Sequence, residues 1–446
     1  MREAEGGYDA GAGRIGAGPA AEAGLRILYL HQHFSTPAGS TATRAFQHAA
    51  ALAAAGHAVT LACGRYKGAV SGLDGPWRLG RRQGRVAGFE VVEYDIRCGN
   101  AQTLGARSLA FLRFAFAAAR LALTRPWDLV IASSTPPTVA LPALLARRLR
   151  GTPFIYEVRD PWPELPEALS DMPREAGGQQ RRVPQPVLAA LGRLSNAACQ
   201  QASVVVALTE GIARIALDRG ADPERVRVLP QGADLALFHP AIPPWRPEGV
   251  GPEEVLAVYA GAHGVANGLG QLLDAAARLR GTGLRLVLVG EGAEKPALAA
   301  RAAAERLPVL FLDPLPKVHL ARLLAGAEVG LLCLAPVPAF AEWSAPNKLV
   351  EALAAGLPMV SNVPGRAARV LRDGGCGLTV PPGDPDSLAA ALLALASDPV
   401  RRAAMGRGAR ITAERGMDAR RIAARLVQVV EATCGHAPGR SRGGGA

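Results

Sequence analysis

Short apolar runs alternate with Ala-rich helical stretches along this chain, and the alternation occurs twice. An apolar run over 26–34 leads into a small-residue loop at 35–43 and a helix that stops at Gly56. A second strand follows over 57–63. Further strands are predicted at 89–94, 129–132, 154–158 and 203–207, with helices at 105–123, 137–150, 185–201 and 209–219. A stretch with proline at 240, 243, 244, 247 and 252 breaks the pattern, as a linker does. The same order then restarts, with strands at 255–260, 285–289, 309–312, 329–333 and 358–362 and helices at 268–280, 293–306, 317–325 and 346–355. Helices at 386–396, 399–414 and 417–432 close the chain. Strands that alternate with helices pair in parallel through crossovers, so the expectation is two doubly wound α/β domains in tandem.

The expected division is a leader (1–24), an N-terminal domain (25–235), a linker (236–252), a C-terminal domain (253–415), a terminal helix (416–434) packing back towards the first domain, and a tail (435–446). The leader and the Gly/Arg-rich tail read as disordered. In open parallel sheets, ligands sit at the carboxyl ends of the strands. Functional residues are therefore sought on loops that follow strands.

A chain of 446 residues is too long for one ordinary core. Its net charge of +12 suits anionic partners, and most of the excess lies in the first 200 residues. No nucleic-acid module accompanies that charge. The six cysteines, at 63, 98, 199, 333, 376 and 434, form no C-x-x-C pair; this spacing fits reduced thiols and a cytoplasmic location. No uncharged apolar run is long enough to span a bilayer. Arginine replaces lysine almost everywhere; lysine occurs only at 67, 295, 317 and 348.

Four loops carry candidate chemistry. In Ala345-Pro346-Asn347-Lys348-Leu349-Val350-Glu351, Asn347 and Lys348 open a helix and Glu351 lies one turn on. Helix-start N–H groups and a cation suit a phosphate, and a carboxylate one turn further accepts ribose hydroxyls. The loop Gly261-Ala262-His263-Gly264-Val265-Ala266-Asn267-Gly268 can turn backbone N–H groups onto a diphosphate. Gly290 and Glu291 close the next strand and could edge a base or ribose. In the first half, Ser40, Thr41 and Thr43 follow Gly39 as possible helix caps, and Arg44 adds charge. The loop Glu157-Val158-Arg159-Asp160-Pro161-Trp162-Pro163-Glu164 packs three carboxylates and an arginine after a strand. Its bland reading is an Arg159–Asp160 pair closing the loop. His31 and His33 share a strand face but lack a third ligand, so no metal site is read. No G-x-S-x-G elbow supports a serine triad. The apolar helix over 107–123, with Arg113 and Arg120 on one face, reads as a buried crossover. A membrane-surface patch, together with Arg147, Arg148 and Arg150, is the alternative.

Together these motifs resemble the retaining GT-B glycosyltransferases of family 4, over about residues 25–431. They look most similar to the bacterial O-antigen, capsule and colanic-acid branch, which includes fucosamine transferases. The resemblance implies two Rossmann-like domains facing a cleft, with a UDP-sugar donor mainly on the second. It places Glu351 on the ribose, Asn347 and Lys348 near the diphosphate with Gly261 opposite, and Gly39 near the sugar phosphate. Arg159 and Asp160 fall where many relatives carry a His–Asp pair beside the transferred sugar. Arg159, Asp160 and Lys348 are the candidate catalytic residues; Gly39, Gly261, Asn267, Gly290, Glu291, Asn347 and Glu351 are the candidate donor-binding residues.

Three positions depart from that family. Trp343 stands where a first glutamate, eight residues before Glu351, is common; Asn267 stands where many relatives have a basic residue; and Arg159 replaces the histidine. The implied reaction transfers a sugar to a hydroxyl of a lipid-linked saccharide or growing glycan. It needs no cofactor and no metal, and it fits a peripheral position on an anionic membrane at its cytoplasmic face. A UDP-sugar 2-epimerase of the same fold and a non-catalytic nucleotide-sugar-binding subunit are the alternatives.

Overall fold

The computed structural model describes residues 24–99, 102–170 and 183–435. Most of the expected leader and tail lies outside them. The first sheet contains β1 (Arg26–Leu30), β2 (Ala58–Tyr66), β3 (Arg81–Val86), β4 (Phe89–Cys98), β5 (Leu129–Ser133), β6 (Phe154–Val158), β7 (Val204–Ala207) and β8 (Val226–Val228). Their spatial order is β3-β4-β2-β1-β5-β6-β7-β8. Every pairing is parallel except β3 with β4.

The second sheet contains β9 (Val255–Ala260), β10 (Leu284–Val289), β11 (Val309–Leu312), β12 (Val329–Leu332), β13 (Met359–Ser361) and β14 (Gly377–Thr379). It runs β11-β10-β9-β12-β13-β14, parallel throughout. In each sheet the winding reverses beside the first strand, between β1 and β5 and between β9 and β12. That reversal opens a crevice at the carboxyl edge.

Both faces of each sheet are covered, which is why the strands read as unbroken apolar runs. Ile27 and Tyr29 face one helix layer, and Leu28 and Leu30 the other. In the second sheet Ala257 and Tyr259 alternate with Leu256 and Val258 in the same way. The alternation of strands and helices was legible in the sequence. β3 was not, because its Arg-Arg-Gln-Gly-Arg-Val sequence is that of a solvated antiparallel edge. β8 and β14 are three residues each, too short to show a period.

The last helix, Ala419–Thr433, lies on the N-terminal sheet. Its Ile422, Leu426 and Val430 join Ile27, Leu52 and Val59 in one core. The crossing is fixed by backbone bonds: Ala233 N donates to Met417 O (2.8 Å), and Ala419 N donates to Ala233 O (3.0 Å).

The two halves also meet across the cleft. The helix Glu164–Ser170, which Pro161, Pro163 and Pro166 disguise as loop in the sequence, packs Leu165, Ala168 and Leu169 on Ala335, Val337 and Phe340. Trp343 and Ala345 rest on the N-terminal core. Gly211 lies so close to the helix Phe340–Trp343 that a Cβ there would sit 2.6 Å from Glu342 O. The cleft is therefore closed on this side.

The terminal helix is predicted to be part of the N-terminal folding unit. Leu426→Ala should cost about 2–5 kcal/mol, the usual range for a buried leucine. Chemical denaturation followed by circular dichroism measures it.

Candidate active site in the interdomain cleft

Two glycine loops form the C-terminal wall. Gly261 N donates to Val289 O (2.9 Å). A Cβ on Gly290 would lie 1.8 Å from Gly261 O, and one on Gly292 would lie 2.2 Å from His263 O. The loops after β9 and β10 thus stack backbone on backbone, which only glycine permits. The helix Asn347–Ala354 points its start at the same place. Lys348 reaches over the Tyr259 ring, 4.3 Å from its centre. Its ammonium donates to Tyr259 Oη and Asn267 Oδ1, both at 2.7 Å. A Cβ on Gly261 would come within 3.1 Å of Lys348 Nζ. The structure therefore brings together three of the sequence candidates, Gly261, Asn267 and Lys348, and Asn347 opens the helix beside them in the chain.

No carboxylate pairs with Lys348 among the described residues. Burial lowers its amine to about 7, because desolvation penalises an ammonium that has only neutral partners. His263 lies beneath the loops, fully buried, with neither ring nitrogen hydrogen-bonded. Burial first, then Lys295 and Lys348, lowers it to about 4. It is neutral at pH 7.

The remaining lysines occupy the same region. Lys317 opens the helix Lys317–Ala325 and binds Glu351 Oε1 at 2.5 Å, with both side chains nearly buried. Its backbone N–H donates across the cleft to Gly39 O (3.2 Å). Gly39 thus serves as an interdomain contact. Lys67, on the N-terminal side, pairs with Glu291 on the other. Lys295 donates to Gly290 O (3.0 Å), Leu312 O (2.9 Å) and Asp313 (2.7 Å), which fixes the Gly290 loop. All four lysines of the chain thus border this cleft. Their scarcity is visible in the sequence, where only Lys348 reads as a site residue. The pairing of Lys317 with Glu351 has no local signal, because Lys317 opens an ordinary crossover helix.

Between the loops lies a cavity of about 470 Å³. Ser40, Thr41 and Lys67 line it from the first domain, and Gly261, Gly290 and Glu291 from the second. Glu351 holds its helix to Lys317, so any ribose hydroxyl it accepts must share the carboxylate with that ammonium.

The N-terminal wall differs from the sequence reading in four respects. Arg44 does not present charge to the cleft. It is buried, donating to Glu157 Oε1 (2.9 Å), Leu229 O (2.9 Å) and Pro230 O (2.6 Å). Glu157 is correspondingly structural, taking a further bond from Ser133 Oγ (2.6 Å). Burial pushes its carboxyl up, but Arg44, His48, Arg159 and the serine bond outweigh that and hold it well below the usual carboxylate range. Glu164 pairs with Arg219 at 2.5 Å. Thr43 begins the first helix without a side-chain cap, and Ser40 Oγ bonds Gly68 O (3.1 Å) instead.

Arg159 and Asp160 are not paired with each other. Arg159 Nη1 donates to His31 Nε2 (2.8 Å), while Thr135 Oγ1 donates to Asp160 (2.7 Å). His31 Nδ1 lies 3.4 Å from Ser133 O, so the network calls for the neutral Nδ1–H tautomer. Burial and then Arg159 keep that ring well below its ordinary pKa. The wall thus presents a guanidinium held by a neutral imidazole, beside an exposed carboxylate.

Residues 39–232 match the glycosyl transferase 4-like domain, and residues 254–398 match the glycosyl transferases group 1 domain. The chain is thus built from two glycosyltransferase domains in the GT-B fold, two Rossmann-like sheets facing a cleft. A D-inositol 3-phosphate glycosyltransferase of Kribbella flavida is 34% identical over 206 residues, covering 43% of this chain and 47% of that protein. The chain spans about half the length of the curated relatives it matches. Among solved structures, sucrose-phosphate synthase of Thermosynechococcus elongatus superposes with a TM-score of 0.72 at 18% identity, over 93% of this chain and 100% of that one. Anabaena Alr3699/HepE, solved with UDP and glucose, superposes with a TM-score of 0.62 at 18% identity, over 91% and 99%.

Two predictions follow from this geometry. Arg44→Met leaves Glu157 buried without its partner and should cost about 3–5 kcal/mol at pH 7. A carboxyl held low stabilises above its unfolded value of about 4.3 and loses that contribution as pH falls. The difference between variant and wild type should therefore shrink in acid, as urea titrations at several pH values would show. Lys348, held low, is an ammonium only below about pH 7. Pyrophosphate affinity should fall by up to ~10-fold per pH unit above that point, and Lys348→Met should abolish this slope in calorimetric titration.

Proposed function

We propose that this protein is a retaining glycosyltransferase that moves a sugar from a UDP-sugar to a hydroxyl of a lipid-linked saccharide or growing glycan. The observation that carries the reading is the Lys348 ammonium. It is unmatched by a carboxylate among the described residues, and it lies against the Gly261 loop, held by Tyr259 and Asn267; Gly261 in turn lines the cavity of about 470 Å³. A cation held by neutral partners and short of counter-charge is suited to an incoming diphosphate. Anabaena Alr3699/HepE, of the same fold, has been solved with UDP and glucose and with UDP-glucose. The Kribbella flavida relative is by name a glycosyltransferase acting on a phosphorylated cyclitol.

In this scheme the nucleotide sugar is a substrate and no cofactor enters. As the glycosidic bond to the diphosphate breaks, negative charge grows on the departing phosphate. Lys348 and the loop N–H groups meet that charge with dipoles already in place. The Lys67–Glu291 and Lys317–Gly39 contacts hold the halves together, so bulk water is kept from the donor carbon. With no side chain standing as a clear base, the leaving phosphate takes the acceptor proton. Arg159 and Asp160 orient the sugar from the opposite wall.

Thermal shift with UDP, GDP and ADP should favour UDP, with ~2.7 kcal/mol of added stability at a hundredfold excess over Kd. Lys348→Ala should lower turnover by about 10²–10³-fold while the variant stays folded. Conversion of a UDP-sugar without any acceptor would replace this reading with epimerisation, and the absence of a shift with all three nucleotides would remove it.

A further inference from the structure

The helix Leu104–Thr124 fills its inner face with Ala110, Phe114, Ala118 and Leu121, which belong to the N-terminal core. Its outer face is apolar too. Phe116 is 76% exposed, Leu109 58% and Leu112 46%. These residues fall within one stripe at helical spacing, and Arg113 and Arg120 lie on the same stripe. A crossover helix that merely covered a sheet would show water a polar face here.

The neighbouring helix Ala140–Arg150 repeats the arrangement. It packs beside the first on the same layer of the sheet, burying Ala140, Pro142, Ala143 and Ala146. Its outer side carries Leu149, 63% exposed, and Leu145, and it ends in Arg147, Arg148 and Arg150. Neither helix contains an aspartate or glutamate. Among the described residues none of these five arginines has an ion-pair partner, whereas arginines elsewhere on the surface pair widely. Exposed leucine and phenylalanine flanked by unpaired arginine match the chemistry of an interfacial membrane helix. No helix of the described residues is long and apolar enough to cross a bilayer, so contact would be with the surface alone.

We propose that these two helices form a docking face for an anionic lipid bilayer, with Phe116, Leu109 and Leu149 entering the headgroup layer and the arginines meeting lipid phosphates. The charge commits the choice of occupant. A second copy of this face would set arginine against arginine, and a neutral partner would leave them unmatched. The inference stands on the exposed face and does not depend on which nucleotide the cleft takes.

The test is co-sedimentation of the full chain with phosphatidylcholine vesicles made with and without phosphatidylglycerol, at low and high salt. Binding should require the anionic lipid and weaken with salt. Replacing Arg113, Arg120 and Arg148 together by alanine should lower partitioning about a hundredfold, since each arginine near an anionic surface is worth roughly fivefold. Phe116→Ser with Leu149→Ser should lower it at least ~10-fold. Thermal melts and the UDP shift, read on the same samples, report folding and the donor cleft separately. Equal binding to both vesicle types, no binding, or full binding by both variants would overturn the proposal. So would a dimer of the wild type that Phe116→Ser dissolves without any vesicle binding. The docking face is decided by vesicle binding alone, whatever the nucleotide result.

Discussion

Parallel strand pairing is the constraint from which the rest follows. A parallel neighbour is reached only by a crossover, so each strand ends in a loop on one edge and the chain returns by a helix on one face. Repeated in both halves, this places every strand-to-helix loop on a carboxyl edge. The reversal beside β1 and beside β9 then separates adjacent loops enough to admit a ligand. The glycine loops at 261 and 290 and Lys348 at the start of the helix Asn347–Ala354 come together on one such edge for this reason, and the Arg159 loop follows β6 on the edge of the other sheet.

The electrostatics of the cleft divide in two. Three of the four lysines are spent on binding the protein to itself: Lys317 on Glu351, Lys67 on Glu291, and Lys295 on two carbonyls and Asp313. Only Lys348 rests on neutral partners. A buried ion pair contributes little net stability but is costly to break. The paired lysines therefore fix geometry, while the unmatched one retains a demand for an anion. The basic first domain has a comparable imbalance at its surface, where arginines on two helices have no counter-charge among the described residues.

Much of this was legible in the sequence. The doubled strand–helix alternation identified the fold because the central strands of each sheet are buried on both faces and read as apolar runs such as Ile27–Leu30 and Leu256–Ala260. The sequence could single out Lys348, Gly261 and Asn267, which the fold brings into contact, because a helix start and a glycine loop are local features. The unread parts depend on long-range pairing. Glu157 and Arg44 lie 113 positions apart; each reads as a site candidate until the other is seen beside it. Lys317 and Glu351 are 34 apart and on different helices. Trp343, which stands where the resembled family often has glutamate, turned out to be an interdomain packing residue, and that role shows only when the first core is present to receive it.

The return of the last helix to the N-terminal sheet has a mechanical consequence. The backbone passes between the halves twice, once after β8 and once before Ala419, and the two passages are bonded to each other at Ala233, Met417 and Ala419. A single passage would act as a tether and allow twist as well as opening. Two passages clamped at one point act as a pivot. The halves can swing about it, but they cannot slide past one another without breaking that clamp. Any such swing must also break the contacts that bridge the cleft, Lys317 N–H to Gly39 O and Lys67 to Glu291. The docking helices, seated on the half that carries both the first strand and the last helix, would leave the other half as the moving arm.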